Sequence, residues 1–271
     1  MEDFPAAHSM DSTWFAIDRD GHVAIFETGE AGCMPLEGYG EQGMLHEDEL
    51  RALPVTGMKF DLAGYRVMNG NDHIAIDPER PHEYTILMFI RDLDAIRDLL
   101  PKLAAKELPA TSGTCLAVHR PDLATFDAIH KRDACSGCHH TWRDPEDNDY
   151  GFAKYGLYQY DHTCENWISG PYARMTVPMQ PVHADQLPAE IRDRASRFDG
   201  RWADRAEIQP AEHWECGGWE PAWLAMDRKT VRPFADRADE YAEAVENLQD
   251  IEGGLVFADA PAGGGAGEDS E

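Results

Sequence analysis

The sequence predicts an α+β protein: a mixed or antiparallel sheet, three to four helices, and a central insertion rich in cysteine and histidine. Three observations carry that expectation. Short apolar runs flank turn dipeptides, as at Asp20-Gly21, which marks strands joined by hairpins. Phe234, Ala238, Tyr241, Val245 and Leu248 recur at four-three spacing, which marks an amphipathic helix. Between these, residues 130–167 gather three of the six cysteines and four of the twelve histidines.

Taken in order, residues 1–11 read as a frayed terminus and residues 12–259 as a single compact domain, with a possible subdivision near 134–167. Asp20-Gly21 joins the apolar runs 13–18 and 22–26 in a hairpin. Residues 32–43 are glycine-rich around Pro35 and read as a loop; no Gly-Lys-Ser or Gly-Lys-Thr follows, so it is no phosphate loop. A short helix is expected over 46–53, stopped by Pro54. Asn69-Gly70-Asn71 predicts a second hairpin, between 65–68 and 73–76. The continuous apolar run 84–90 suits a strand buried on both faces. Asp92 then caps a helix with Leu93, Ile96, Leu99, Leu100 and Leu103 on one face, kinked at Pro101. With a strand at 114–118 this makes a strand–helix–strand crossover unit.

A short helix over 121–130 leads into the cysteine stretch. Residues 143–149 are a polar, acidic loop, and 152–160 and 172–177 are strands. Asp185 and Pro188 start a helix with Leu187, Ile191, Ala195 and Phe198 inward, followed by a charged linker or second short helix over 199–211. Trp223-Leu-Ala-Met-Asp-Arg228 echoes Trp14-Phe-Ala-Ile-Asp-Arg19 and suggests two similar edge strands. Pro233 begins the clearest helix and Gly253-Gly254 ends it. A last strand is expected at 255–257, then a disordered acidic tail over 260–271.

Composition narrows the function classes. Hydrophobic residues at 42 % suffice for a proper core. No apolar run is long enough to span a membrane, and Met1-Glu-Asp-Phe-Pro5 lacks the basic start of a signal peptide, so the expected location is cytoplasmic. Six unevenly spaced cysteines fit reduced thiols better than a disulfide framework. Acidic residues outnumber basic ones 51 to 24, a net charge of −27. Such a surface repels nucleic-acid phosphates and anionic lipids, so neither nucleic acid nor membrane is an expected partner. A basic protein is. The acids are spread along the chain and not clustered, which fits a genome-wide bias toward acidic residues better than a surface shaped for a basic partner.

Cys135-Ser-Gly-Cys138 has the spacing of a zinc knuckle. Two thiolates three positions apart on a tight turn grip one tetrahedral ion, and Gly137 lets the turn form. A structural zinc takes two further ligands. Cys164 is the expected third thiolate, and His139, His140 or His162 the fourth donor, with Asp161 or Glu165 behind the imidazole. The metal candidates are therefore Cys135, Cys138, Cys164, His139 and His162.

The rival readings fit less well. Cys-x-x-Cys-His also attaches c-type haem, but after export. A thioredoxin-like pair wants a buried strand before it, whereas residues 129–134 are charged. Zinc deaminases need His-x-Glu upstream and proline before the first cysteine; here that position is Ala134. The remaining alternative is thiols and imidazoles that simply pack in a turn-rich region, as His213 and Cys216 are expected to do. No nucleophile elbow, Walker loop, Gly-x-Gly-x-x-Gly or His-Glu-x-x-His occurs, so no catalytic residue is assigned.

Two resemblances add to this reading. Trp14-Phe-Ala-Ile-Asp18, Gly21-His-Val-Ala-Ile-Phe26, Thr28-Gly-Glu-Ala-Gly32 and Pro35 resemble the start of many uncharacterised bacterial proteins, over about the first tenth of the chain. That resemblance brings no activity with it. Tyr160-Asp161-His162 after Cys-x-x-Cys is similar to His-Asn-His nucleases, where a strand ends in Asp-His beside a zinc knuckle. The resemblance implies His162 as the base, Asn166 as the Asn, and a divalent metal on the phosphate. The chain departs from the family in lacking a basic surface and the usual proline, and in carrying Cys164. The adopted reading is a structural zinc in a protein-binding, inhibitor-like protein; the alternative is a metal-dependent hydrolase. Ligand count separates them, since four protein ligands close a site and three plus water leave it reactive.

Overall fold

The computed structural model describes residues 12–29, 31–37, 50–69, 85–119, 122–141, 149–163, 168–251 and 254–258. The architecture is α+β, with mostly antiparallel or mixed sheets. In chain order the strands are β1 (Thr13–Ile17), β2 (Val23–Glu27), β3 (Met34–Pro35), β4 (Met58–Phe60), β5 (Thr85–Ile90), β6 (Ala105–Leu108), β7 (Thr114–His119) and β8 (Cys135–Thr141). There follow β9 (Tyr158–His162), β10 (Tyr172–Pro178), β11 (Ser196–Arg197), β12 (Glu207–Ile208), β13 (Cys216–Gly217), β14 (Ala222–Leu224), β15 (Thr230–Pro233) and β16 (Val256–Phe257). The helices are α1 (Leu62–Asn69), α2 (Leu123–Lys131), α3 (Ala189–Arg194) and α4 (Ala238–Ile251). Among the described residues no helix is long and apolar enough to cross a membrane.

The first hairpin forms as its sequence predicts. β1 and β2 pair antiparallel with Ile17 opposite Val23. The Asp18 carboxylate accepts the backbone N–H groups of Asp20 and His22, and Gly21 takes φ +84°, where a side chain would be strained. The echo at 223–228 turns out to be a shared turn. Asp227 likewise accepts the N–H groups of Lys229 and Thr230. Only β14 is an edge strand, because β1 lies between β11 and β2.

The larger sheet runs β11-β1-β2-β9-β10-β12, with β4 also paired to β10. One face carries an aromatic core built on Trp14, Phe26, Tyr160, Tyr172 and Trp202. A second sheet, β6-β7-β5-β8, is antiparallel throughout. Its central strand β5 is buried at all six positions, as the unbroken apolar run predicts. Strand alternation divides it: Leu87 and Phe89 join a core shared with Phe60, Tyr65, Ala173 and Met175 of the larger sheet and its surroundings, while Ile86, Met88 and Ile90 face the other way.

Three expectations are corrected. The chain between β5 and β7 makes two short 3-10 turns, Asp94–Ile96 and Leu100–Lys102, not a crossover helix. Pro101 permits no continuous helix there, and antiparallel β5 and β7 require no crossover. Residues 65–68 lie in α1, not a hairpin strand. Asp61 initiates that helix by accepting the Ala63 N–H, and Gly64 lets it lie on β10, where a Cβ would overlap the Arg174 carbonyl oxygen. Residues 149–155 form a 3-10 segment, and the strand begins only at Tyr158.

The burial expected of two helices agrees with the structure where their side chains are described. Leu187, Ile191 and Phe198 are buried around α3. Phe234 and Tyr241 are buried while Asp236, Asp239 and Glu243 face water, although Pro233 closes β15 and α4 itself starts at Ala238. The side chains of Glu246 and Leu248, and the expected features at 1–11, 46–49, 73–76, 143–148 and 260–271, lie outside the described residues.

Candidate metal centre

Two local devices bring three donor side chains together. The first is α2. Asp122 caps it by accepting the Thr125 N–H. Phe126 and Ile129 bury one face against the outer side of the second sheet. His130 follows Phe126 by four positions, so it lies on the same side, its ring edge-on to Phe126 at 4.2 Å. Asp133, in the left-handed region at φ 52°, turns the chain toward β8, and Arg91 holds its carboxylate at 2.7 Å.

The second device is a bulge. β8 pairs with β5, Gly137 lying opposite Phe89 but Cys135 opposite Ile90, so Ser136 is an extra residue in the ladder. The Ser136 hydroxyl donates to the Phe89 carbonyl oxygen at 3.0 Å. On a regular strand residues three apart point to opposite faces; the extra residue returns Cys135 and Cys138 to one face. Replacing Ser136 by alanine removes that hydroxyl while leaving the bulge, and is expected to cost about 1 kcal/mol in urea denaturation. An unchanged midpoint would show that the hydroxyl does not hold the bulge.

The sulfurs of Cys135 and Cys138 are 3.2 Å apart, and His130 Nε2 is 3.2 Å from the Cys138 sulfur. All three donor atoms lie within 4.8 Å of one another. Both thiols are buried, among Met88, Ile90, Phe126 and Ala134. Hydrogen bonding from Cys138 and the neighbouring His130 push the Cys135 thiol down to about 5. Cys138 moves the opposite way, because it shares its proton with Cys135 and is buried. The opposed shifts favour a thiolate on Cys135 over one on Cys138, and the thiolate is the form that ligates metals. A tetrahedral ion with bonds of about 2.3 Å places sulfurs about 3.8 Å apart, so the thiols have only about half an ångström to open.

The expected tight turn at Cys-x-x-Cys is thus a bulged strand, and it is the bulge, not a Gly137 turn, that pairs the thiols. Of the predicted ligands, Cys135 and Cys138 come together. His139 and His140 continue β8 opposite Leu87 and Ile86, and their side chains lie outside the described residues. So do Cys164, Glu165 and Asn166.

His162 is placed elsewhere. It sits buried on β9, in the larger sheet, and its Nε2 accepts the Gly170 N–H at 2.8 Å. Burial, with the Arg228 charge, pushes its pKa down to about 3, so it serves as a neutral acceptor. His130 is the candidate donor that the sequence reading did not assign. Its signal was its place four residues after Phe126 on the apolar side of a capped helix. His213 packs edge-on to Phe198, and the buried Cys216 hydrogen-bonds Cys33, whose thiol donates to Gln209 Oε1 at 3.3 Å.

Comparison of the chain with known protein families, with curated proteins and with solved structures gives no match.

Proposed function

We propose that this is a cytoplasmic metal-binding protein in which His130, Cys135 and Cys138 hold a zinc ion in a structural role, and that the folded protein acts by binding a basic partner protein. The convergence of three soft donors within 4.8 Å on one face of a bulged strand carries the reading. The candidates for the fourth ligand remain His139, His140 and Cys164. The net charge of −27 supports a basic partner. A hydrolase of the His-Asn-His kind is disfavoured because the Nε2 of its base, His162, is already engaged by a backbone N–H.

Metal analysis of the purified protein tests this. One zinc per chain is expected, lost in Cys135→Ser and Cys138→Ser and retained in His162→Gln. Zinc content unaffected by either cysteine variant would refute the site. Cys164→Ser, His139→Ala and His140→Ala then decide the class. Loss of zinc in one of them closes the site at four ligands; retention in all three indicates an open position and revives the hydrolase.

A further inference from the structure

Met88 stands directly opposite Cys138 in the β5–β8 ladder, with Leu116 opposite it on the β7 side. Residues directly opposite share a face, their Cβ atoms about 5 Å apart. Met88 is wholly buried and belongs to the same cluster as Cys135, Cys138, Ile90 and Phe126. A thioether therefore lies beside two thiols and an imidazole, in surroundings that are otherwise hydrocarbon.

We propose that Met88 is a further donor to this centre, and that the centre binds the cuprous ion more tightly than zinc. The inference rests on the reading that His130, Cys135 and Cys138 bind metal. Thioether sulfur is a soft donor that suits Cu(I) and has little attraction for zinc. Cu(I) is satisfied by soft donors alone. The unbranched methionine side chain, with three rotatable bonds, brings its sulfur to an ion without moving β5. Packing alone explains why an apolar residue occupies position 88, but assigns the sulfur no effect on metal choice.

The test uses the full-length protein under anaerobic, reducing conditions. Cu(I) competes against the cuprous chelator bicinchoninate, and zinc against a colorimetric zinc indicator. Wild-type protein is expected to take one Cu(I) per chain and to release zinc as it does. Met88→Leu conserves volume and should keep its zinc affinity while losing Cu(I) affinity by about tenfold to a hundredfold, the range for groups that tune a metal site. Retained zinc binding shows that the variant is folded. Cu(I) binding as tight in Met88→Leu as in wild type would overturn the role of Met88. Zinc and Cu(I) binding both unchanged in Cys138→Ser would instead overturn the centre itself. X-ray absorption of the copper-loaded wild type and Met88→Leu reads the same point independently: one sulfur neighbour fewer in Met88→Leu supports the proposal, and an unchanged sulfur count contradicts it.

Discussion

Replacing Asp61 by alanine is expected to destabilise the fold by about 3–5 kcal/mol. Its side chain is 3 % exposed and lies 2.6 Å from the guanidinium of Arg174, itself 11 % exposed. The carboxylate also accepts the Thr111 hydroxyl and the Ala63 N–H. Arg174 reaches onward to the carbonyl oxygens of Trp202 and Ala203. The pair thus ties β10 to the start of α1 and to the segment after β11. Removing the acid strands a buried cation, and the unpaired charge, not the lost attraction, dominates the cost. The double variant Asp61→Ala/Arg174→Met should therefore be more stable than Asp61→Ala alone. Urea denaturation of the set decides it, and a double variant less stable than the single would mean that the ion pair itself contributes the stability.

Acidification is expected to unfold the protein partly through His162. The folded state holds this imidazole near pKa 3, while the unfolded chain titrates near the ordinary imidazole value of 6.5. Below pH 6.5 the unfolded state takes up a proton that the folded state refuses. Stability present above pH 6.5 is thus lost as pH falls toward 3, at up to about 1.4 kcal/mol per unit. His162→Gln keeps an acceptor for the Gly170 N–H and does not titrate. Its stability should fall less steeply than wild type between pH 6 and pH 4, where the carboxylates common to both cancel in the difference. Parallel curves for the two proteins would show that His162 is not the group responsible.

The fold was legible where local chemistry and tertiary need agree. Asp20-Gly21 specified its hairpin because the positive φ of Gly21 is a local demand. The run ending at Ile90 specified a central strand because burial on both faces leaves no place for a polar residue. Asn69-Gly70 misled for the converse reason. Its turn chemistry is local, whereas the packing of Gly64 and Tyr65 onto β10 and the second sheet, which makes the preceding residues a helix, is not. The metal candidates divide in the same way. Cys135 and Cys138 were visible from their spacing. His130 was not, because its role depends on where α2 lies against β8, and its place four residues after Phe126 marks only which side of the helix it shares. His162 looked like a ligand beside Cys164, yet it serves a backbone amide.

The bulge at Ser136 separates two things that motif reading treats as one, a count of residues and a direction in space. With Ser136 looped out of register, Cys-x-x-Cys on this strand does the geometric work of Cys-x-Cys on a flat one. The same four letters grafted onto an unbulged strand would send their sulfurs to opposite sides of the sheet. A search for related centres in other sheet proteins should accordingly accept both spacings, provided each is matched to the ladder that carries it. An engineer transplanting the centre has the same choice: carry the irregularity along, or delete one residue.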